Sequence, residues 1–474
     1  MHRKAIVWFR NDLRLTDNVS LHLALQNSAH VYPVYCFDPR HYAETEIGLP
    51  KTGSFRAKFL LSSLRDLRKN LRNIGADLII RQGLPEHVIP QLSRELQAQA
   101  VYGSKEVAHE EVMVENALEK ALYAESIVFE RVWQSTLYHI DDIPWPIRSL
   151  PDTFSQFRKE TERGTAVHAA LPAPNEMPAF DDIHCGELPY LDDLGLSEPP
   201  HDERAVMQFK GGETTALARL YEYIWDKDLL RQYHDTRNGL LGADFSSKLS
   251  AWLATGALSP RTVYEEIKKY EKQRIKNKST YWLFFELLWR DYFRFTARKY
   301  GNSIFKVEGI QGKGIEYYND LATFERWKKG ETGIPFIDAN MRELNASGYM
   351  SNRGRQNVAS FLVKDLKINW TWGASYFETL LIDYDVCSNW CNWNYIAGVG
   401  NDPREDRYFN IISQAKRYDP QGDYVRHWIP ELSGIEGKRI HYPTKVEEAI
   451  LNKAEVSLGT DYPEPMVSFD KWMY

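Results

Sequence analysis

Hydrophobic residues in this chain change period near residue 135, and the change separates two kinds of fold. Before it, short apolar, β-branched or aromatic runs recur at Ala5–Phe9, Val31–Phe37, Leu78–Ile80, Ala100–Tyr102 and Ile127–Trp133. Amphipathic stretches such as Ser54–Asn73 and Glu110–Tyr123 lie between them. Strand–helix alternation of this kind predicts a doubly wound parallel sheet flanked by helices. From about Arg204 onward the period is helical, as in Glu213–Lys227, Ser246–Thr255, Pro260–Lys272, Thr280–Arg298, Pro335–Ser347 and Arg353–Asp365. Between the two, "IDDIPWPIRSLPDTF", "AALPAPNEMP" and "GLSEPPHDE" are rich in proline and acidic residues and read as a connection over the surface. The expected organisation is an α/β unit at 1–134, a linker at 135–204 and an all-α unit at 205–474. At 474 residues the chain is long enough to give each unit its own core.

Composition narrows the functional classes. A net charge of −6 excludes a generally basic nucleic-acid binder, so phosphate contacts would need a local patch. The most apolar run, "YWLFFELLW", is short and broken by Glu286, which predicts no membrane span. Four scattered cysteines and the start "MHRKAIVWF", which has no signal-peptide pattern, predict a reduced, cytoplasmic protein. Fourteen tryptophans, most of them after residue 220, point to aromatic packing or a pocket for a large planar ligand. The α/β half brings no cofactor with it by motif: "WFRNDLRL" stands where a G-x-G-x-x-G would follow the first strand.

Four stretches carry residue types that a core does not need. In "DYDVCSNWCNWNY", Asp383–Tyr395, Cys387 and Cys391 are four apart and would share a helix face. No nearby His or Cys pair completes a metal set, so they read as packing. Asp383 and Asp385 lie in an otherwise apolar run, where a carboxylate needs a cation or a hydrogen-bond donor, and a heterocycle or a ribose would supply one. In "GYMSNRGRQNVASFLVKDL", Asn352, Arg355 and Gln356 share one helix face and Arg353 lies on another side. Arginines in a first turn oppose the helix dipole, so an anionic partner is expected: Asp383, a phosphate, or both. In "DFSSKLSAWLATGALSP", Ser246, Ser247 and Ser250 with Lys248 could hold a pyrophosphate, although serine-rich helix starts are common. In "FFELLWRDYFRF", Glu286, Trp289 and Arg290 share a face, and simple Glu286–Arg290 pairing is the plain alternative.

Together with "WFRNDLRLTDN", these motifs resemble the photolyase/cryptochrome family, in the family's order and over nearly the whole chain. The wording "NMRELNASGYMSNRGRQNVASFLVKDL" is similar to the DASH cryptochrome branch. The resemblance implies an N-terminal antenna domain and a helical domain that holds FAD. Tyr233, Ser246, Ser247, Leu249 and Ser250 would line the FAD phosphates and ribityl. Glu286 and Trp289 would flank a damaged base, and Arg290 would reach flavin or phosphate. Arg355 would pair with Asp383 beside the flavin ring, Asp385 would accept from ring or ribose, and Asn389 would face flavin N5. The implied activity is light-driven repair of cyclobutane pyrimidine dimers by an electron from reduced FAD. An aromatic relay would run Trp393, Trp370, Tyr317, with tyrosine standing where the family usually has tryptophan; Trp372 or Tyr318 are substitutes for that last step.

Tyr395 and Gln356 stand where duplex photolyases typically have tryptophan and methionine. With Asn352 and Arg353 they would contact the flipped dimer, and weaker stacking would shift activity toward single-stranded or looped DNA. The histidine pair of six-four photolyases is absent at Ser351-Asn352. Phe37, Asp38, Lys51 and Glu106 are the candidates for an antenna site, with methenyltetrahydrofolate as its chromophore; Asp38 and Glu106 follow strands, and ordinary strand-end polar residues are the alternative. The Lys-rich run 268–278 reads first as a solvated helix. A monomer acting on dimer-containing single-stranded DNA is expected. The alternative is a blue-light receptor that binds DNA or a partner without repair, against which the lack of a long C-terminal extension speaks.

Overall fold

The structure, a computed structural model, describes residues 2–178, 183–402 and 407–473. Strands β1 (His2–Phe9), β2 (Ser28–Phe37), β3 (Ile79–Gln82), β4 (Ala100–Ser104) and β5 (Val128–Val132) form one parallel sheet in the order β3-β2-β1-β4-β5. Ala5 lies opposite Val31 on one side and Ala100 on the other. Ala5, Val7 and Phe9 enter one core while Ile6 and Trp8 enter a second, so both faces of β1 are covered. That burial explains why the strands read as continuous apolar runs rather than as an alternating pattern. The strand order reverses at β1, which places the residues following β1 and β4 at the crevice where such sheets take ligands.

The connecting stretch holds more structure than its composition suggests. A helix, Phe154–Gly164, buries Phe154, Phe157 and Thr161 on one face. Its short apolar pattern is hidden in the sequence by the flanking prolines. Around the 23-residue helix Lys278–Tyr300, opened by an Asn277 capping box, the C-terminal half is almost wholly helical. Two expected helices end early and pass into a π-helical turn, at Glu222–Asp226 and at Phe361–Asp365. The expected helix Ser246–Thr255 shrinks to Ser250–Ala254.

The "WFRNDLRLTDN" motif ties the sheet to the helices. Arg14 donates to the Gly256 carbonyl at 2.8 Å, and Glu213 accepts from the amides of Leu15 and Thr16 at 2.7 and 2.9 Å. Asp17 accepts from the Ser259 hydroxyl and from Arg261. Gly256 has φ +65°, and a Cβ there would lie 1.9 Å from the Asn11 carbonyl oxygen, so only glycine fits this crossing.

Glu343 is fully buried in the helical half, with Oε2 accepting from the Tyr424 hydroxyl at 2.6 Å. Burial raises its carboxyl from 4.5 to about 7, against smaller opposing effects of Tyr424, Lys248 and Arg355. Between those two values the unfolded chain releases a proton that the folded chain keeps, so stability falls as pH rises through this window. Glu343→Gln removes the buried charge and keeps an acceptor for Tyr424. It should leave the melting temperature unchanged near pH 4.5 and raise stability by about 1–3 kcal/mol at pH 8. Equal effects at the two pH values in thermal melts would contradict this assignment.

Candidate cofactor and substrate site

Two capped helices build the wall of a cavity in the helical half. Ser351 caps Asn352–Ser360 by accepting from the Gly354 amide at 3.0 Å, and Asp385 caps Val386–Ala397 by accepting from the Ser388 amide at 2.7 Å. Asn352, Arg355, Gln356, Asp383, Asp385, Asn389, Trp393 and Tyr395 all line the cavity between them. Arg355 donates to Asp383 Oδ2 at 2.9 Å and to the Met350 carbonyl at 2.9 Å. Burial alone would lower the Arg355 pKa, but the Asp383 charge and hydrogen bond outweigh it and hold the guanidinium protonated. Asp383 Oδ1 is buried with no hydrogen-bond partner among the described residues. Burial alone would raise Asp385, yet the charges of Arg294 and Arg290 and the bonds from Ser388 hold it below the usual carboxylate range. Asn389 donates its Nδ2 to the Ala374 carbonyl at 3.0 Å, which leaves its amide oxygen as a free acceptor. Free acceptors at Asp383, Asp385 and Asn389, around a wall that includes Phe377 and Trp393, suit a planar heterocycle with N–H donors.

A second cluster adjoins this wall. Glu286 is paired with Arg237, a residue that no motif singled out, and not with Arg290. Arg290 instead donates to the carbonyls of Ser135 and Leu253 at 2.5 and 3.1 Å, so its side chain closes the junction to the connector. This replaces the expectation that it reaches flavin or phosphate. Burial raises the Glu286 carboxyl, and Arg237 offsets part of the rise. Tyr233 is buried beside Glu286 and Arg237. Trp289 stacks on Phe154 of the connector at 3.7 Å and meets Tyr395 edge-on at 5.9 Å. Phe154 was invisible as a site neighbour because its stretch reads as linker. Arg353 is not separate from its helix neighbours: it donates to Gln356 at 2.9 Å and to Asn238 at 3.2 Å, over the Tyr418 ring. Burial lowers the Arg353 pKa, and the positive charges of Arg237, Arg417 and Arg407 add to the effect against that of Tyr418, so cations gather here.

The Ser246–Ser250 turn is held from behind by Arg219, which donates to the carbonyls of Ala243 and Ser247 at 2.8 and 3.2 Å. Ser247 and Leu249 are buried, and Ser250 opens the short helix. Lys248, at φ +56°, is buried with its ammonium 3.5 Å from the Tyr349 hydroxyl, so it does not join the serines as expected.

Comparison with known proteins decides what this arrangement belongs to. Residues 282–473 match the family model described as "FAD binding domain of DNA photolyase", and residues 5–177 match "DNA photolyase". A Gloeobacter violaceus protein named cryptochrome DASH is 54% identical over 98% of this chain and 93% of its own length. The chain belongs to the photolyase/cryptochrome family. The crystal structure of a Synechocystis cryptochrome superposes with a TM-score of 0.97 at 48% identity, covering 99% of this chain and 97% of that one. A class III photolyase from Agrobacterium tumefaciens superposes at 0.87 with 30% identity, covering 99% and 95%. The match to the photolyase FAD-binding domain assigns FAD to the helical half, and the acceptor set around the cavity fits its ring.

Within this photolyase-type frame the three residues of the expected relay have separate neighbours. Trp393 packs edge-on against Phe377 at 5.1 Å and Trp327 at 6.4 Å, in space that Gly373 leaves open; a Cβ there would lie 2.3 Å from the indole. Trp370 meets Trp390 edge-on at 5.8 Å and donates its indole N–H to the Val307 carbonyl at 2.9 Å. The Tyr317 hydroxyl is buried with no partner among the described residues, and burial raises its pKa. From Trp393, ring contacts continue through Trp327 and Phe324 to Trp372 at 5.7 and 5.4 Å. Tyr318 is 62% exposed and lines a surface cleft of 590 Å³.

Each of the four antenna candidates has contacts of its own within the protein. Phe37 is buried against Tyr35 at 4.9 Å, and both Asp38 oxygens are taken by Arg40, which also holds Glu86. Lys51 pairs with Glu110 at 2.6 Å. Glu106 turns inward and pairs with Arg294 at 2.6 Å. Glu106 follows β4 at the sheet crevice and reaches the helical half through Arg294, and the residues flanking Lys51 also bond to the helical half, at Thr379. Cys387 and Cys391 are buried, and among the described residues no group of three His, Cys, Asp or Glu side chains could hold a metal. Among the described residues no helix is long and apolar enough to cross a membrane.

Proposed function

We propose that the protein uses blue light to split cyclobutane pyrimidine dimers in single-stranded or looped DNA. The observation that carries this reading is the joining of two sites by one wall: Asn352, Gln356 and Tyr395 line the cavity with Asp383 and Asn389, and Tyr395 touches Trp289, one turn from Glu286. The chemistry that bound FAD would supply is donation of one electron from its reduced, excited state and recovery of that electron. Arg355, Asp383 and Asp385 would bind and orient the flavin ring, and Asn389 would offer it an acceptor. Tyr233 and the Ser246, Ser247, Leu249 and Ser250 turn line its chain. On the substrate side Glu286 and Asn352 take the polar edge of the dimer, Trp289 and Tyr395 pack its faces, and Arg353 with Arg237 faces the phosphates. The Lys-rich run contributes less, since Lys268 and Lys269 are paired with Glu271 and Glu266.

Single strands are favoured because Tyr395 and Gln356 offer less stacking than a tryptophan and a methionine would, while each stacked base contributes ~1–3 kcal/mol. Flipping a dimer from a duplex costs a few kcal/mol more. The antenna chromophore is methenyltetrahydrofolate, held at the crevice near Glu106, and Trp393 would begin the path by which electrons reach the flavin. In the dark, an oligonucleotide carrying one dimer should bind about tenfold or more tightly than its undamaged copy when single-stranded, from ~1.4 kcal/mol or more of dimer contact. Equal affinities in a fluorescence titration would favour the light-receptor reading instead.

A further inference from the structure

Glu106 follows β4 at the crevice of the sheet, on the antenna side of the molecule, and is 1% exposed. Its Oε2 pairs with Arg294 Nη2 at 2.6 Å, while Oε1 has no hydrogen-bond partner among the described residues. Arg294 comes from the long helix Lys278–Tyr300 and is 3% exposed, so water cannot replace either partner. Its other terminal nitrogen, Nη1, lies 3.8 Å from Asp385 Oδ2 in the cavity wall. One guanidinium is thus shared by two carboxylates on opposite sides of the domain junction. Neighbouring charges complete the setting: Arg10 pairs with Glu115 at 2.5 Å beside Glu106, Glu111 lies close by, and Arg290 lies near Asp385.

We propose that Arg294 is a positioning residue that couples the antenna crevice to the flavin site, by dividing its positive charge between Glu106 and Asp385. The charge that Asp385 presents to the flavin then depends on how strongly Glu106 holds Arg294. A charge placed in the crevice alters how strongly Glu106 holds Arg294 and shifts that division. Coulomb attraction in a dry interior carries such a change over a few ångströms without backbone motion. The inference rests on the flavin lying against Asp385 and does not depend on whether DNA dimers are split.

The test is a redox titration of FAD-loaded protein freed of folate, without DNA. Glu106→Gln keeps an acceptor for Arg294 but removes the opposing charge, so the cavity becomes more positive and favours the more negative reduced flavin. At a fixed potential the ratio of reduced to oxidised flavin should rise about threefold to tenfold, the effect of a nearby buried charge. Arg294→Gln should lower the ratio, and the double variant should stay within about twofold of Arg294→Gln, because Glu106 acts through Arg294 and the two effects are then not additive. If Arg294→Gln fails to fold, Glu106→Gln still decides. An unchanged or lowered ratio in Glu106→Gln, with flavin content equal to the parent, overturns the proposal.

Discussion

Trp393→Phe should slow photoreduction of the bound flavin at least about a hundredfold, while FAD content stays near the parent level. A hundredfold loss requires only ~2.7 kcal/mol of added barrier, and a phenyl ring is much harder to oxidise than an indole. The fold should tolerate the change, since Phe377 and Trp327 still close the site and the space in front of Gly373 only widens. Tyr317→Phe is expected to differ sharply. An oxidised phenol must shed its proton, and the Tyr317 hydroxyl has no acceptor among the described residues, so this variant should photoreduce at nearly the parent rate. Trp372, reached through Trp327 and Phe324, is then the outlet to replace next. Transient absorption after a blue flash separates these variants. A strong loss in Tyr317→Phe would restore the Trp393–Trp370–Tyr317 path.

Asp383→Ala should abolish most FAD binding. The carboxylate is 3% exposed, and removing it leaves the Arg355 guanidinium without its counter-ion and the cavity without one of its acceptors. Breaking one side of a buried pair costs ~3–5 kcal/mol. We expect FAD per protein, read from the flavin absorbance, to fall at least tenfold, about 1.4 kcal/mol of binding or more. The melting temperature of the FAD-free protein should fall as well. Asp383→Asn keeps a neutral acceptor and should lose less of both. Parent-level FAD in Asp383→Ala would remove this carboxylate from the binding account.

The sheet was legible in the sequence because strands buried on both faces must be apolar throughout, and loops separate them cleanly. The helix Pro335–Ser347 was legible for a related reason: proline opens it and Gly348 closes it at φ +67°. The helix Phe154–Gly164 was not, because proline-rich flanks mask a three-residue apolar face whose partner, Trp289, lies far along the chain. The same limit applies to partners. Arg355 and Asp383 could be paired on paper because one needed an anion and the other a cation. Arg237 with Glu286, and Arg294 with Glu106, could not, since arginines are common and only the fold selects among them. Local spacing suggested Glu286–Arg290, and the fold overrode it by turning Arg290 to two carbonyls. Asp38, at a strand end, has a partner that local sequence does not single out: Arg40, two residues on, donates to both its oxygens.

Light-driven reversal of a dimer in a single strand tests the central claim most directly. An oligonucleotide with one cyclobutane thymine dimer, mixed with protein whose FAD is fully reduced, is kept dark or lit with blue light and analysed by chromatography. The account predicts that intact thymines reappear only in the light, and faster than in the same sequence as a duplex. No light-dependent reversal in the single strand would contradict it.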